Sequence, residues 1–309
     1  MLGTLISVIS VSLLAMNQCS SLAYSAGLSS VAPLIAMTVA SALLPALLMN
    51  ISIVGLNQIY DIEIDRTNKP YLPIASGELS VGNAWRIVWG TAVASLALGV
   101  MTSSLPLVCT LVGSLVLGIA YSVDAPMLRW KRYPTMAAMC ILSVRAVLVQ
   151  FGFFFHMRDT LVNKLGQDIL KVGGDAFISN NRALYFATAF MFIFSIVIAL
   201  FKDIPDAQGD KMNGMNTFTV RLGAKKVFWT CIMLLQAAYA SGVVYSLVYL
   251  KGWMCAGSVV AHGAVATLIL GRALKTDLGS ASEVYDCYMD IWKAFYFEYL
   301  LIPLFAAAV

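Results

Sequence analysis

The chain has 309 residues, 60% of them hydrophobic and only 12% charged, with a formal net charge of +4. Soluble domains carry about 25% charged residues, so this is an integral membrane protein, and the small, scattered positive balance excludes nucleic acid as a partner. Its long apolar runs do not alternate as barrel strands do, so the spans are helical, because lipid-exposed backbone must satisfy its own hydrogen bonds.

Taken in order, nine apolar runs predict an all-α, polytopic fold: Leu2–Asn17, Ala32–Tyr60, Ala84–Met101, Leu105–Val123, Thr135–His156, Arg182–Phe201, Val227–Leu250, Trp253–Leu274 and Met289–Ala308. The first run has no basic segment before it and no small-residue cleavage site after it, so it reads as a span that starts abruptly, not as a signal peptide. The expectation is one domain over 1–309, with a truncated N-terminus and no transit peptide. The six cysteines lie far apart, without metal-ligand spacing, and read as buried thiols.

The second run ends on Asn57-Gln58-Ile59-Tyr60-Asp61-Ile62-Glu63-Ile64-Asp65. If the helix continues through Asp65, the four-residue spacing puts Asn57, Asp61 and Asp65 on one face. Oxygen-bearing side chains so arranged suit a hard cation, above all Mg²⁺, which takes one or two protein carboxylates and fills its shell with water and phosphate. Proline and glycine in Lys69-Pro70-Tyr71-Leu72-Pro73-Ile74-Ala75-Ser76-Gly77 then end helical structure.

The sixth run ends similarly, on Lys202-Asp203-Ile204-Pro205-Asp206-Ala207-Gln208-Gly209-Asp210-Lys211, where Asp206 and Asp210 stand four apart. One such cluster reads as a solvated helix end. Two, each at the mouth of a span with lysines interleaved, point to a shared metal–diphosphate site. Loops after the even-numbered runs hold twelve Lys and Arg against five on the other side, which turns both motifs towards the cytosol or an equivalent compartment such as the stroma. The segment Arg158–Asn181 on the opposite side reads as a loop without a motif.

Mg²⁺ bridging Asp61/Asp65 and Asp206/Asp210 would bind a diphosphate, with Lys69, Arg129, Lys131 and Lys202 as further donors. Such a clamp stabilises the charge that develops as a C–O bond breaks. The group left behind must be a stable carbocation, which favours an allylic prenyl diphosphate, its tail among helices that carry aromatic side chains such as Phe151 and Phe153. Arg145, inside the fifth run, is costly in lipid and should face a cavity or a carboxylate. His156 and His262 read as satisfied structural histidines, Glu78 as a possible helix cap, and Asp286, Asp290 and Glu298 show no constellation. A cation-coupled transporter is the alternative of another class, but its acids would lie near the midplane on broken helices, not at helix mouths.

The motifs N-Q-x-x-D-x-x-x-D and K-D-I-x-D-x-x-G-D, together with NKPYLPIASGE, YSVDAPMLRWKR, ILSVRAV, FKDIPDAQGDK and FTVRLGAKKVFW, resemble the UbiA superfamily of intramembrane aromatic prenyltransferases, in its plant and algal homogentisate phytyltransferase-like branch. The resemblance covers nearly the whole chain. It implies nine helices around a central cavity with a polar cap, Mg²⁺ dependence, a plastid membrane, and transfer of a prenyl group, phytyl or geranylgeranyl favoured, to an aromatic ring carbon of homogentisate with loss of its carboxylate. Flavonoid, coumarin and phloroglucinol-type acceptors are the alternatives within the superfamily. Carried over by position, Asn57, Asp61 and Asp65 match the first metal motif and Asp203, Asp206 and Asp210 the second. Lys69, Tyr121, Arg129, Lys131 and Lys202 fall where diphosphate or acceptor contacts belong. Two departures stand out: Gln208 replaces the usual Glu, and an Arg-Pro-His-type segment that precedes the first helix in relatives is missing.

Overall fold

The computed structural model describes residues 1–18, 28–165, 181–205, 207 and 217–306, and among them the regular structure is entirely helical. The long elements are α1 (Leu2–Gln18), α2 (Leu28–Tyr60), α4 (Val81–Met101), α5 (Leu105–Ser122), α6 (Pro134–Leu142), α7 (Val149–Leu165), α8 (Arg182–Phe201), α10 (Ala224–Tyr249), α11 (Gly252–Lys275) and α12 (Ala281–Leu301). Two short helices, α3 (Ile62–Asn68) and α9 (Phe218–Leu222), introduce the segments beyond α2 and lead into α10. A π-helical turn, Ser143–Leu148, joins α6 to α7, and a 3₁₀ turn, Trp130–Arg132, precedes α6.

Seven spans among the described residues are long and apolar enough to cross a membrane: Val31–Tyr60, Val81–Met101, Leu105–Ser122, Thr135–Leu165, Arg182–Phe201, Ala224–Tyr249 and Gly252–Lys275. The expected first span, Leu2–Asn17, is apolar but shorter. The expected ninth, Met289–Ala308, is displaced: the helix runs Ala281–Leu301 and gives way to a 3₁₀ turn at Ile302–Ala306. Its start is set by Ser280, whose hydroxyl accepts the Glu283 amide at 3.4 Å, while the Glu283 carboxylate accepts the Asp277 amide at 2.9 Å. Glu283, Asp286, Asp290 and Lys293 break the apolar pattern that marked the other spans.

Other boundaries moved for equally local reasons. Helix α4 begins at Val81 because Ser80, not Glu78, caps it, its hydroxyl accepting the Asn83 amide at 3.3 Å. The segment read as a loop from Arg158 is helical to Leu165. The acidic triplet does not ride one continuous helix: α2 ends at Tyr60, Asp61 sits in a turn at φ −115°, ψ 12°, and α3 starts at Ile62. The Asp65 amide still donates to the Asp61 carbonyl at 2.7 Å, so these two residues keep helical register across the break.

Within a bilayer, association rests on close packing more than on the hydrophobic effect, and small residues let backbones approach. The buried face of α4, Ala84, Val88, Ala92, Ser95 and Gly99, is mostly small, and α4 packs on α2 while Gly99 lies against Leu111 of α5. A Cβ on Gly55 would come within 2.8 Å of Val88, and Ser95 donates to the Pro45 carbonyl at 2.7 Å. The most enclosed helix is α8, which buries Phe190, Phe194 and Phe201 against α10, α12 and the π turn. Its C-terminus carries Lys202 and Asp203 out of the core.

Candidate active site

The exit of α2 and the segment before α6 meet at Asp61. Lys131 Nζ lies 2.5 Å from Asp61 Oδ2, and Arg129 Nη2 lies 3.8 Å from Oδ1. All three side chains are largely buried. Among the described residues, Asp61 Oδ1 nonetheless has no hydrogen-bond partner.

The loop before α6 is built to aim those cations. Met127 and Arg129 both sit at positive φ, 66° and 57°, a left-handed conformation that costs a non-glycine residue roughly 1–2 kcal/mol. The bend lets Arg129 donate to Asp124 at 2.6 Å and to the Tyr60 carbonyl at 3.5 Å, while Arg132 also reaches Asp124, at 3.3 Å. Asp124 was not singled out from sequence. Its position five residues before Arg129 was the available signal, and its role is to orient the arginine.

Asp65 is 8% exposed. Burial pushes its carboxyl above the usual carboxylate range, the Lys69 charge pulls it back, and the Asp61 charge adds to the rise. Lys69 stands at the C-cap of α3, its amide on the Asp65 carbonyl at 2.7 Å. Asn57 turns towards α5, its amide nitrogen 3.4 Å from Ser122 Oγ.

The second mouth is reached through Tyr121 and Lys131. Tyr121, in the last turn of α5, lies within electrostatic reach of Asp61, Lys202 and Asp203. Lys202 Nζ is 3.7 Å from Asp203 Oδ1. A cleft of about 800 Å³ has Lys131, Lys202 and Asp203 at its polar end and Ala137, Ile141 and Leu200 along its wall. Both mouths therefore open on the same side of the helical bundle. Asp206 and Asp210 lie outside the described residues, as does Gln208.

Among the described residues no group of three His, Cys, Asp or Glu is close enough to hold a metal alone. Two neighbouring carboxylates, one with a buried oxygen that no described residue hydrogen-bonds and the other held at an electrostatic cost, nonetheless fit a cation that uses one or two protein carboxylates.

Arg145 lies in the π turn and faces a small chamber of about 240 Å³. Its guanidinium carbon is 4.8 Å from the Trp292 ring centre and 5.9 Å from that of Phe295. The two histidines behave as structural groups. His156 Nε2 meets Ser41 Oγ at 3.1 Å and the Thr38 carbonyl at 3.3 Å. His262 Nε2 meets Glu298 Oε1 at 3.2 Å, both fully buried, so Glu298 does have a partner that its sequence position did not reveal. Asp286 and Asp290 likewise pair with Arg272, at 3.7 and 3.3 Å.

The fold and this mouth define a polytopic helical membrane protein whose acidic and basic side chains converge at one end of the bundle. The chain belongs to the UbiA prenyltransferase family, whose profile matches residues 11–294, and it is a prenyltransferase. It is 47% identical over 302 residues to homogentisate phytyltransferase 1, chloroplastic, of Arabidopsis thaliana, a match covering 98% of this chain and 72% of that one. It is 45% identical over 262 residues to a homogentisate geranylgeranyltransferase of Hordeum vulgare, covering 85% and 61%. Among solved structures, a UbiA homologue from Archaeoglobus fulgidus bound to GPP and Mg²⁺ shares the fold with a TM-score of 0.55 at 17% identity, covering 98% of each chain.

Proposed function

We propose that this chain transfers a prenyl group, phytyl or geranylgeranyl, from its diphosphate to a ring carbon of homogentisate in a plastid membrane, with Mg²⁺ as cofactor and the motif face towards the stroma. The observation that carries the proposal is the convergence of Asp61, Lys131 and Arg129 at the exit of α2, beside the cleft that Lys131 shares with Lys202 and Asp203. The identity to a homogentisate phytyltransferase and a homogentisate geranylgeranyltransferase supports the choice of acceptor and of a long donor.

Asn57, Asp61 and Asp65 would hold Mg²⁺ from the first mouth, and Asp203, Asp206 and Asp210 from the second. When bound, Mg²⁺ supplies the positive charge that makes diphosphate a competent leaving group. Lys69, Arg129, Lys131 and Lys202 add charge-assisted hydrogen bonds to its oxygens. Tyr121, within electrostatic reach of both Asp61 and Lys202, would orient the bound diphosphate through its hydroxyl. The apolar wall of the cleft excludes water from the allylic cation, which would otherwise be quenched to the alcohol. A single domain over 1–309 would house the whole reaction.

Membranes containing the protein, given phytyl diphosphate, labelled homogentisate and Mg²⁺, should yield a prenylated ring product that is lost on chelation. Turnover unaffected by a chelator, or absent with every phenolic acceptor while cations cross vesicles, would overturn the proposal.

A further inference from the structure

A second cationic surface lies on the outside of the bundle, at the same end as the mouth. Gly223 turns the chain from α9 into α10 at φ 87°, a positive value that favours glycine. Beyond this corner, Leu222, Lys225, Lys226, Trp229 and Thr230 line a shallow groove of about 720 Å³ that continues down to Met233 and Leu234. Lys226 also lines the cleft that holds Lys131 and Lys202, so the upper end of the groove lies at the level of the mouth.

The groove is graded by depth. Residues four apart stack along one helix face, so α10 presents two neighbouring ridges here: Lys225, Trp229 and Met233 in one, Lys226, Thr230 and Leu234 in the other. Each ridge runs from a cation, through a side chain that can hydrogen-bond, to an apolar side chain. Eight residues at 1.5 Å each make that descent about 12 Å. Both lysines are exposed, and no described carboxylate forms an ion pair with either. Leu222 and Met233 are exposed as well. Lysine above tryptophan above an aliphatic face is the order of groups across a membrane interface, from water through headgroup to chain.

We propose that this groove binds one anionic glycerophospholipid, of the phosphatidylglycerol type, from the mouth-side leaflet. Lys225 and Lys226 take the phosphate, the Trp229 indole N–H and the Thr230 hydroxyl serve the ester carbonyls, and Met233 and Leu234 carry the upper part of an acyl chain. Charge favours an anionic lipid over a neutral one: adjacent cations without a described counter-ion repel each other, and a phosphate between them relieves this. The graded ridges favour a lipid over a free anion, which would use the lysines alone, and over an acidic protein segment, which would leave the apolar tier without a partner. Basic clusters where spanning helices leave the membrane recognise anionic headgroups in this way, each cation strengthening attachment about fivefold. The site is distinct from the diphosphate mouth, and the inference stands whichever acceptor is used.

The test is quenching of tryptophan fluorescence in the full chain, reconstituted in phosphatidylcholine bilayers, by lipids brominated on the acyl chain just below the ester. The chain has six tryptophans, and the share of Trp229 is the difference between wild type and Trp229→Phe. That share should half-saturate at a mole fraction at least tenfold lower for brominated phosphatidylglycerol than for brominated phosphatidylcholine. Lys225→Gln with Lys226→Gln should bring the two curves together, whereas Lys225→Arg with Lys226→Arg should keep them apart. Lys251→Gln, just past the opposite end of α10, should leave the preference intact, which separates a local site from overall charge. Equal curves for the wild-type chain, which needs no variant to fold, would reduce the groove to ordinary boundary lipid and overturn the proposal. So would a preference that survives the double glutamine change. Loss of the preference on adding geranylgeranyl diphosphate at equal concentration would also overturn it, by making the groove a dock for the donor.

Discussion

Lys131 Nζ stands 2.5 Å from Asp61 Oδ2, joining the break after α2 to the turn before α6 across 70 residues of chain. Each side chain is only 14% exposed. A pair so placed could be a structural clip or a part of the substrate clamp, and charge reversal separates the two. Exchanging the charges, Asp61→Lys with Lys131→Asp, should recover most of the thermal stability lost in either single variant while leaving turnover at background. Asp61→Asn alone should cut turnover by roughly 10²–10³-fold, the order seen when one preorganised electrostatic group is removed, with membrane insertion intact. Recovery of turnover in the exchanged pair would assign both residues to structure.

Asp65 gives a pH-dependent signature. Its carboxyl is raised by burial first, so the folded state holds the proton more tightly than the unfolded chain. Its stability contribution is therefore present at low pH and is lost as pH rises from the ordinary carboxylate range through the raised value. At neutral pH the ionised group strains the Mg²⁺-free protein. Asp65→Asn should raise the Tm of that protein at pH 7, remove the further rise expected when Mg²⁺ is added to the wild-type chain, and lower turnover. A Tm that falls on Asp65→Asn would show that the carboxylate is structurally satisfied without a cation.

The glycines at helix crossings predict stability changes remote from the chemistry. A Cβ on Gly152 would overlap the Thr110 side chain, whereas one on Gly263 would meet nothing within 4 Å. Gly152→Ala should destabilise by about 1–3 kcal/mol, as overpacking does. Gly263→Ala should change Tm little.

Glu298 and His262 form a fully buried pair between α12 and α11. Ser258 Oγ stands 3.2 Å from His262 Nδ1 and 2.7 Å from Ser246 Oγ, which extends the network. Glu298→Ala leaves the histidine facing a cavity and should cost roughly 3–5 kcal/mol, the range for a broken buried pair. Glu298→Gln keeps a hydrogen-bonding partner and should cost less. Unfolding in detergent, followed by helical signal, distinguishes them, and equal losses would show that charge, not hydrogen bonding, holds the pair.

Most of the helical architecture was legible because a spanning helix must be continuously apolar, a requirement of solvent rather than of tertiary context. The helix at Ala281–Leu301 was misplaced for the same reason: its charged residues hide it from that signal. The break at Asp61 was invisible, since Gln58 to Asp65 contains neither glycine nor proline. The carboxylates and cations of the mouth were readable as types and spacings, but their pairing depended on loop geometry. Arg129 could not be seen to need a left-handed backbone, nor Asp124 to hold it. The His262–Glu298 contact spans 36 residues and two helices, with no local pattern to announce it.

The wide turn at Ser143–Leu148 has an evolutionary corollary. A π turn is an α-helix carrying surplus chain, so losing a single codon there would restore regular winding. The flanking segments would then rotate against each other by about 100°, and Arg145 would swing off its present wall while the diphosphate mouth kept its residues. One deletion thus gives a lineage a route to a reshaped helical core without rebuilding the residues at its mouth.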